Sequence, residues 1–171
     1  MNVRSLSGDE AHNHVPALAD ILIDCVEGGA SVSFMSPLSR AKAEAFWRDV
    51  AAGVAIGDRR LLVAFDGASI VGTVQLVLRQ PENQLHRADI AKMLVATHAR
   101  RQGIGAQLMR AAEAEAIGAG KTLLVLDTVT ASNAARLYEN LGWIRVGEIP
   151  GYALWPDGRP CPTTYYYKQL A

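Results

Sequence analysis

The stretch that decides the fold reads Met93-Leu-Val-Ala-Thr-His-Ala-Arg-Arg-Gln-Gly-Ile-Gly-Ala-Gln-Leu-Met109. An apolar strand leads into a short basic turn, and the turn leads directly into an amphipathic helix. Gly103 and Gly105 let the backbone approach a ligand closely, and the free N–H groups at a helix N-terminus attract anions. With Arg100 and Arg101 in the turn, the segment predicts a site for a phosphate or pyrophosphate.

The known phosphate-binding fingerprints do not describe this segment. A Walker A loop needs G-x-x-x-x-G-K-[ST], and the dinucleotide fingerprint needs three glycines early in a βαβ unit. A glycine-rich helix start with no ligand would give the same pattern. On these residues alone, the ligand-binding and the purely structural interpretations therefore stay open.

Toward the N-terminus, hydrophobic periodicity predicts two helices. Apolar residues recur at helical spacing over residues 15–26, and Gly28-Gly29 ends that helix because glycine has no steric bias toward the right-handed conformation. Ser7-Gly8-Asp9 before it offers a turn or a helix cap. Residues 30–36 form a loop, and Pro37 is predicted to begin the second helix, which continues to about Val54.

From Arg60 the period changes to that of strands. The runs Leu61–Phe65 and Ser69–Leu78 flank Asp66-Gly67, a strong hairpin signal, and Arg87–Ala96 is a third strand after a turn. The later elements are a helix from Gly103 to about Ala119, a strand Thr122–Thr128, a short helix from Ser132 or Asn133 to Leu141, and strands Trp143–Gly147 and Thr163–Lys168. The predicted class is α/β, in the order β-α-α-β-β-β-α-β-α-β-β, with helices on both faces of a mixed sheet.

The composition is that of an ordinary folded domain. The chain has 171 residues, and its 17 Lys and Arg balance 17 Asp and Glu, which argues against a general nucleic-acid or anionic-membrane binder. Cys25 and Cys161 form no C-x-x-C pair, which excludes a disulfide scaffold and a Cys-rich zinc site. With no signal peptide and no apolar run of membrane-spanning length, we expect one cytoplasmic domain over residues 1–171.

Two motifs resemble those of a known family. Arg100-x-x-Gly103-x-Gly105 after the strand resembles the acetyl-CoA pyrophosphate motif of the GNAT superfamily of N-acetyltransferases. Leu137-Tyr-Glu-Asn-Leu-Gly-Trp143 is similar to the family's short helix that ends in Tyr-Glu-x-Leu-Gly-aromatic. The predicted order of elements also matches. The resemblance implies a mixed, mostly antiparallel sheet of about six to seven strands.

The resemblance also implies acetyl-CoA as co-substrate, lying between two strands that splay apart. Its pantetheine would follow one strand and its pyrophosphate would sit on the N–H groups of residues 101–106. The cofactor-binding residues implied are Met93, Leu94, Val95, Arg100, Arg101, Gln102, Gly103, Ile104, Gly105, Ala106 and Asn133. Relatives often carry Asn seven residues before the family tyrosine, where this chain has Ala131, so Asn133 is either a coenzyme contact or a helix cap.

Three residues are candidates for catalysis. Tyr138 matches the family tyrosine that reaches the coenzyme sulfur, and a phenol can protonate a departing thiolate; packing against the sheet is the other interpretation. Asp89 and Asp127 each interrupt an apolar strand pattern, and partial burial would raise either pKa and improve it as a base for the amine. Either aspartate could instead cap a turn or form a salt bridge.

Several loop segments resemble the tabtoxin-resistance subgroup of the family. They are Gly28-Gly-Ala-Ser-Val-x-Phe-Met35, Arg87-Ala-Asp89 and Arg145-Val-Gly-Glu-x-Pro-Gly-Tyr152. Such stretches are where substrate contacts tend to lie. The substrate residues expected on this basis are Ser31, Phe34, Met35, Gln75 and Tyr152.

The sequence therefore predicts an enzyme that transfers an acetyl group from acetyl-CoA to the primary amine of a small molecule, such as an amino acid or an amino-acid-like toxin or antibiotic. No Cys or Ser sits beside the motif with a base, so direct attack in a ternary complex is expected rather than an acyl-enzyme. A peptide or protein N-acetyltransferase and a non-catalytic acyl-CoA sensor remain the alternatives. We expect no metal, because the His12-x-His14 pair lies on a polar helix start typical of solvated side chains, and His86 and His98 have no acidic or Cys partner at ligand spacing. A homodimer is also possible from the sequence, since the late strands could either close the sheet or pair across a dimer.

Overall fold

The computed structural model describes residues 1–170 and contains seven strands and five α-helices in that range. The strands are β1 Asn2–Leu6, β2 Arg59–Asp66, β3 Ser69–Val77, β4 Arg87–Val95, β5 Leu123–Val129, β6 Ile144–Leu154 and β7 Pro160–Gln169. The helices are α1 Gly8–Asn13, α2 Val15–Glu27, α3 Arg40–Ala55, α4 Ile104–Gly118 and α5 Asn133–Asn140. The helices of residues 1–170 include none long and apolar enough to cross a membrane.

All seven strands form one sheet in the order β1-β2-β3-β4-β5-β7-β6. Every neighbouring pair is antiparallel except β4 and β5, which run parallel. A parallel pair needs a crossover connection, and α4 supplies it. The predicted mixed, mostly antiparallel sheet is confirmed.

Helices cover both faces of the sheet. On one face, a Cβ added to Gly72 of β3 would lie 3.1 Å from side-chain carbons of Ile104 and Leu108, so α4 packs directly on that strand. Side chains alternate along a strand, and Gln75 therefore points to the other face. There it accepts a hydrogen bond from Arg59, whose side chain lies against Gly53 of α3.

The parallel pairing of β4 and β5 is short. It joins three residue pairs, from Arg87 with Leu123 to Asp89 with Val125, and then stops. Beyond it β4 carries one extra residue opposite β3, because Thr73 pairs with Leu94 while Gln75 pairs with Ala91. This bulge bends β4 away from β5, and a cleft opens between them.

The predicted order lacked one helix, because Gly8–Asn13 forms α1, which is separated from α2 at His14. Two predicted boundaries were also wrong. The second helix begins at Arg40 rather than at Pro37, because the hydroxyl of Ser39 accepts a hydrogen bond from the Lys42 N–H and caps it. Strand β6 extends to Leu154, well beyond the predicted end at Gly147. It bulges at Arg145/Gly147 and again at Ile149/Ala153, and these bulges break the alternation by which strands are identified.

One hydrophobic core joins the helices to the sheet. Leu18 and Leu22 of α2, Trp47 of α3 and Leu108 of α4 are all fully buried. Burying a large apolar side chain contributes about 1.5–3 kcal/mol, so these helix faces stabilise the sheet that carries β4 and β5.

Candidate active site

A cavity of about 1160 Å³ opens where β4 and β5 separate. It runs from the turn before α4 to the loop between α2 and α3. Its walls are formed by residues 30–35, 90–95, 126–129 and 152–155, by the start of α4 and by α5. The predicted coenzyme segment and the predicted substrate loop therefore line one cavity.

The turn before α4 presents a row of free backbone donors. The first helical hydrogen bond of α4 is donated by Gln107 to the carbonyl of Gly103, and the N–H groups of residues 101–106 donate to no described acceptor. Arg101 and Gly103 have positive φ, at 64° and 79°, which curls the backbone so that these groups converge. Such a nest at a helix N-terminus binds phosphate oxygens.

Gly103 and Gly105 serve different purposes. A Cβ on Gly103 would meet nothing within 4 Å, so its requirement is the left-handed backbone. A Cβ on Gly105 would lie 2.9 Å from Cδ2 of Leu137, so the missing side chain lets α5 pack closely on α4. The second glycine thus brings the helix of Tyr138 to the cleft.

Arg100 lines the cavity beside the free end of β4. Its Nε donates to the carbonyl of Val95 at 3.1 Å, and its Nη2 lies 3.7 Å from Sγ of Cys25. Burial raises the pKa of the Cys25 thiol against the opposing effect of the guanidinium, so this cysteine is a neutral packing residue beside the site.

Tyr138 lies in the wall of the cleft and is almost fully buried. Its ring packs near those of Trp143 and Tyr166, at centroid distances of 6.1 and 6.2 Å. Its hydroxyl makes no hydrogen bond to another described residue. Burial, and then the charge of Asp127, raise the pKa of this phenol above its ordinary value, so it stays protonated at neutral pH.

Asp127 stands at the mouth of the cleft on β5, paired in register with Tyr165 of β7. Desolvation raises the pKa of its carboxyl, and the charge of Lys92 partly opposes that rise. No described side chain donates a hydrogen bond to this carboxylate or forms an ion pair with it. The hydroxyls of Tyr165 and Tyr152 form a hydrogen bond, with 2.7 Å between the two oxygens, and this hydrogen bond raises the pKa of Tyr165 to about 12.

Lys92 is a cavity residue that the sequence analysis missed. It sits in the β4 bulge with a positive φ of 49°, and its Nζ donates to the hydroxyl of Ser33 at 2.9 Å. Desolvation lowers the pKa of its ammonium, and the charge of Asp127 opposes this. The available signal was a lone lysine inside the apolar run that precedes the glycine turn.

The loop between α2 and α3 closes the far end of the cavity. Ser31 donates its hydroxyl to the carbonyl of Leu154 at 2.7 Å, which ties the loop to β6. Phe34 packs edge-on against Phe46 of α3. Met35 and Tyr152 also line the cavity, and both are substantially exposed.

Three predicted site residues do not line the cavity. The Asp89 carboxylate accepts hydrogen bonds from Arg87 and from Gln80, and both bonds hold it at the end of the paired part of β4. Gln75 is buried and is hydrogen-bonded to Arg59, and Gln102 is exposed.

The other predicted residues come together. Met93, Leu94, Val95 and the turn residues, except Gln102, line the cavity beside the start of α4, and Asn133 lines it at the start of α5. The cap of α5 is Ser132, whose hydroxyl accepts from the N–H of Ala135. Asn133 is therefore not needed as the cap, although its side chain is paired with Arg136.

These features fit a long ligand with an anionic group at one end. The nest of N–H groups suits a pyrophosphate, the unpaired edge of β4 suits an amide-containing chain, and Tyr138 and Asp127 line the same cavity. Within residues 1–170 there is no group of three or more His, Cys, Asp or Glu side chains that could hold a metal ion.

Comparison with known proteins agrees with this geometry. Residues 57–145 match the family described as Acetyltransferase (GNAT) domain. An uncharacterized N-acetyltransferase from the hisH-hisA intergenic region of Azospirillum brasilense is 29% identical over 149 residues, which are 82% of this chain and 87% of that protein.

Solved structures share the whole fold. Ribosomal-protein-alanine N-acetyltransferase from Brucella melitensis superimposes with a TM-score of 0.82 at 21% identity, over 99% of this chain and 100% of that one. The putative acetyltransferase yncA from Salmonella typhimurium, solved with its cofactor acetyl-CoA, superimposes with a TM-score of 0.81 at 18% identity, over 100% and 94%.

The matched residues span the elements from β2 to α5, which include the glycine turn, the parted strands and the helix of Tyr138. The chain therefore belongs to the GNAT acetyltransferase family. It is an N-acetyltransferase, and its acetyl donor is acetyl-CoA.

Proposed function

We propose that this enzyme acetylates the primary amine of a small molecule by direct attack on acetyl-CoA in a ternary complex. The observation that carries the proposal is the single cavity that joins the N–H nest to the unpaired carboxylate of Asp127. The two free cysteines, Cys25 and Cys161, are both buried, and neither is placed as an acyl acceptor beside a base. A covalent acyl-enzyme is therefore not part of the proposal.

Asp127 is the proposed base. An aliphatic ammonium with a pKa of about 10.4 must lose a proton before it can attack. Because desolvation raises the pKa of Asp127, its carboxylate is a stronger base than an ordinary aspartate, and no described side chain competes for it. Asp89 lies on β4 where the pairing with β5 ends. For Asp89 we propose only an indirect role, in which a chain of water molecules connects it to the amine.

Tyr138 is the proposed donor to the leaving sulfur. A thiol has a pKa of about 8.5, well below that of this phenol, so complete proton transfer from Tyr138 to the thiolate would be uphill. A hydrogen bond from the protonated hydroxyl to the sulfur, strengthening as negative charge develops, carries no such cost. We therefore assign Tyr138 the donor part of the general-acid role.

The carbonyl oxygen of the thioester needs its own donor. The backbone of Met93 to Val95 borders the cleft without pairing to β5, so an N–H of this segment is available to that oxygen. One oxyanion donor contributes about 2.7–4 kcal/mol to catalysis. Three separate parts of one cavity would then deprotonate the amine, polarise the thioester carbonyl and stabilise the leaving thiolate.

The acceptor is proposed to be an amino acid or an amino-acid-like toxin or antibiotic, of the kind handled by the tabtoxin-resistance subgroup. The support is the resemblance of the loop over residues 28–35 and of the β6 segment that ends in Tyr152, both of which border the acceptor end of the cavity. We propose a cytoplasmic setting, where free cysteines stay reduced.

The experiment is a thiol-release assay with acetyl-CoA and a panel of amino acids, polyamines, aminoglycosides and short peptides. Wild type would be compared with Tyr138→Phe and Asp127→Asn. We expect turnover of a small amine, with kcat lowered about 10- to 100-fold in either variant and the KM for acetyl-CoA little changed.

The outcomes separate the rival functions. Turnover confined to peptides would establish the peptide N-acetyltransferase alternative. Acetyl-CoA binding by calorimetry, without transfer to any amine, would support the sensor. Full activity in Tyr138→Phe would remove that residue from the mechanism.

We also propose a homodimer formed along β6, the edge strand of the sheet. An edge strand presents unpaired backbone groups, and this one also exposes Val146, Ile144 and Ile149 at 65%, 50% and 44%. Light scattering after gel filtration would test the proposal. We expect a dimer for wild type and a monomer for Val146→Lys, and a monomeric wild type would refute it.

A further inference from the structure

We propose that the acceptor carries an anionic group beside its amine, and that Lys92 and Ser33 bind this group while the amine faces Asp127. The inference rests on the proposed function, because it concerns the acceptor end of the same cavity. It assigns a binding role to Lys92, which has no counterpart among the residues identified from the sequence. The chemical class of acceptor is a zwitterion such as a free α-amino acid.

The first observation is a pair of unmatched charges. The Lys92 ammonium lies in the cavity wall and donates to the Ser33 hydroxyl, but no described carboxylate lies within ion-pair distance of it. Asp127 lines the same cavity and is likewise without an ion pair among residues 1–170. The Lys92 ammonium and the Asp127 carboxylate interact electrostatically, but they lie more than 4 Å apart and form no ion pair.

The second observation is how the backbone presents the lysine. Lys92 and Ser33 both have positive φ, at 49° and 76°, although neither is glycine. Such conformations are unfavourable for residues with a Cβ and persist only where the surroundings impose them. Here they bring a strand residue and a loop residue, 59 positions apart in the chain, into contact at 2.9 Å.

The electrostatics of the free enzyme leave this lysine in need of an anion. Desolvation lowers its pKa, which means that burial disfavours the ammonium, and a hydroxyl does not offset that cost as a carboxylate does. A bound carboxylate would supply the missing counter-charge. A ligand with an ammonium and a carboxylate on one carbon would place opposite charges against Asp127 and Lys92 at once.

The arrangement also predicts which amines are rejected. A polyamine would bring a second cation toward Lys92 and lose attraction there. An amino-acid amide keeps the shape of the amino acid but loses the negative charge, so it isolates the contribution of the ion pair. An anionic partner lost from a charged, partly buried site costs about tenfold to a hundredfold in affinity.

The test is a comparison of kcat/KM for free amino acids, their amides and their decarboxylated amines, with acetyl-CoA saturating. Wild type would be measured beside Lys92→Met, Lys92→Arg and a control, Arg48→Met, which removes an exposed positive charge paired only with Glu44 on α3. We expect wild type to prefer the acid over its amide by tenfold or more. Lys92→Met should lose this preference through a higher KM for the acid, whereas Lys92→Arg and Arg48→Met should keep it.

Other results would overturn the inference in distinguishable ways. If wild type uses amides and plain amines as well as acids, the anion subsite is wrong and the acetyltransferase proposal stands. If Lys92→Met lowers turnover of acid and amide equally, or weakens acetyl-CoA binding, the lysine serves the donor or the fold. If no amine of any class is acetylated, the proposed function fails, and the inference fails with it.

Discussion

Replacing Gly103 with alanine isolates the backbone geometry of the turn before α4 from every side-chain contact. Gly103 has a φ of 79°, and a Cβ at this position would meet no atom within 4 Å. The substitution therefore adds no clash, and its whole cost is the left-handed conformation, about 1–2 kcal/mol for a residue with a Cβ. Any relaxation of φ would also turn the N–H groups of residues 101–106 away from their common focus.

Gly118 provides the matched control. It also has open space around its missing Cβ, but it lies in α4 without a positive φ. Alanine there should leave stability unchanged or raise it by up to about 1 kcal/mol, because glycine weakens a helix. The pair thus compares the same chemical change in two backbone conformations.

Urea denaturation and the KM for acetyl-CoA are the measurements. We expect Gly103→Ala to lower the free energy of unfolding by about 1–2 kcal/mol and to raise that KM severalfold, with the KM for the amine unchanged. A Gly103→Ala protein as stable as Gly118→Ala, with the wild-type KM for acetyl-CoA, would refute the reasoning. The turn would then have no conformational requirement, and the N–H nest would not be the pyrophosphate site.

Three further predictions follow from the geometry. Because the pKa of Asp127 is raised, kcat/KM should rise with pH through a carboxyl limb above the usual aspartate range, and Asp127→Asn should lose that limb; a limb that survives would give the base to another group. Gly72→Ala should lower the free energy of unfolding by about 1–3 kcal/mol in urea, because its Cβ would crowd Ile104 and Leu108 at 3.1 Å; unchanged stability would contradict this packing. Trp143→Phe should cost about 1–3 kcal/mol and lower kcat, because the indole N–H binds Glu113 at 3.0 Å and the ring packs near Tyr138; wild-type values would disprove this support.

Local patterns predicted most of the elements because their causes are local. The spacing of apolar residues on α2 and α4, the Asp66-Gly67 hairpin and the glycine turn each depend on neighbours within a few positions. The end of β6 was not predicted because its bulges depend on pairing with β7 across the sheet and not on neighbouring residues in the chain.

The candidate site has a donor half, which would bind acetyl-CoA, and an acceptor half, which would bind the amine. Sequence patterns predicted the donor half more fully than the acceptor half. The donor half is one continuous strand, turn and helix, so residues 93–106 carry nearly all of it in order. The acceptor half is assembled from four separate segments, and sequence reasoning gave equal weight to Asp89 and Asp127. Only the stop in strand pairing after Asp89 puts one aspartate in the cavity and leaves the other bound to Arg87 and Gln80.

By itself the sequence determined most of the strands and helices, the glycine turn before α4 and the family to which the chain belongs, since each depends on short-range spacing and backbone preference. The tertiary structure alone decided that Leu137 packs on Gly105, that Ser33 contacts Lys92, and that two opposite charges line one cavity unpaired. The physical reason is that desolvation and charge pairing depend on distances in space. These distances are set by a bulge in β4 and by packing across the sheet, which residue order does not encode locally.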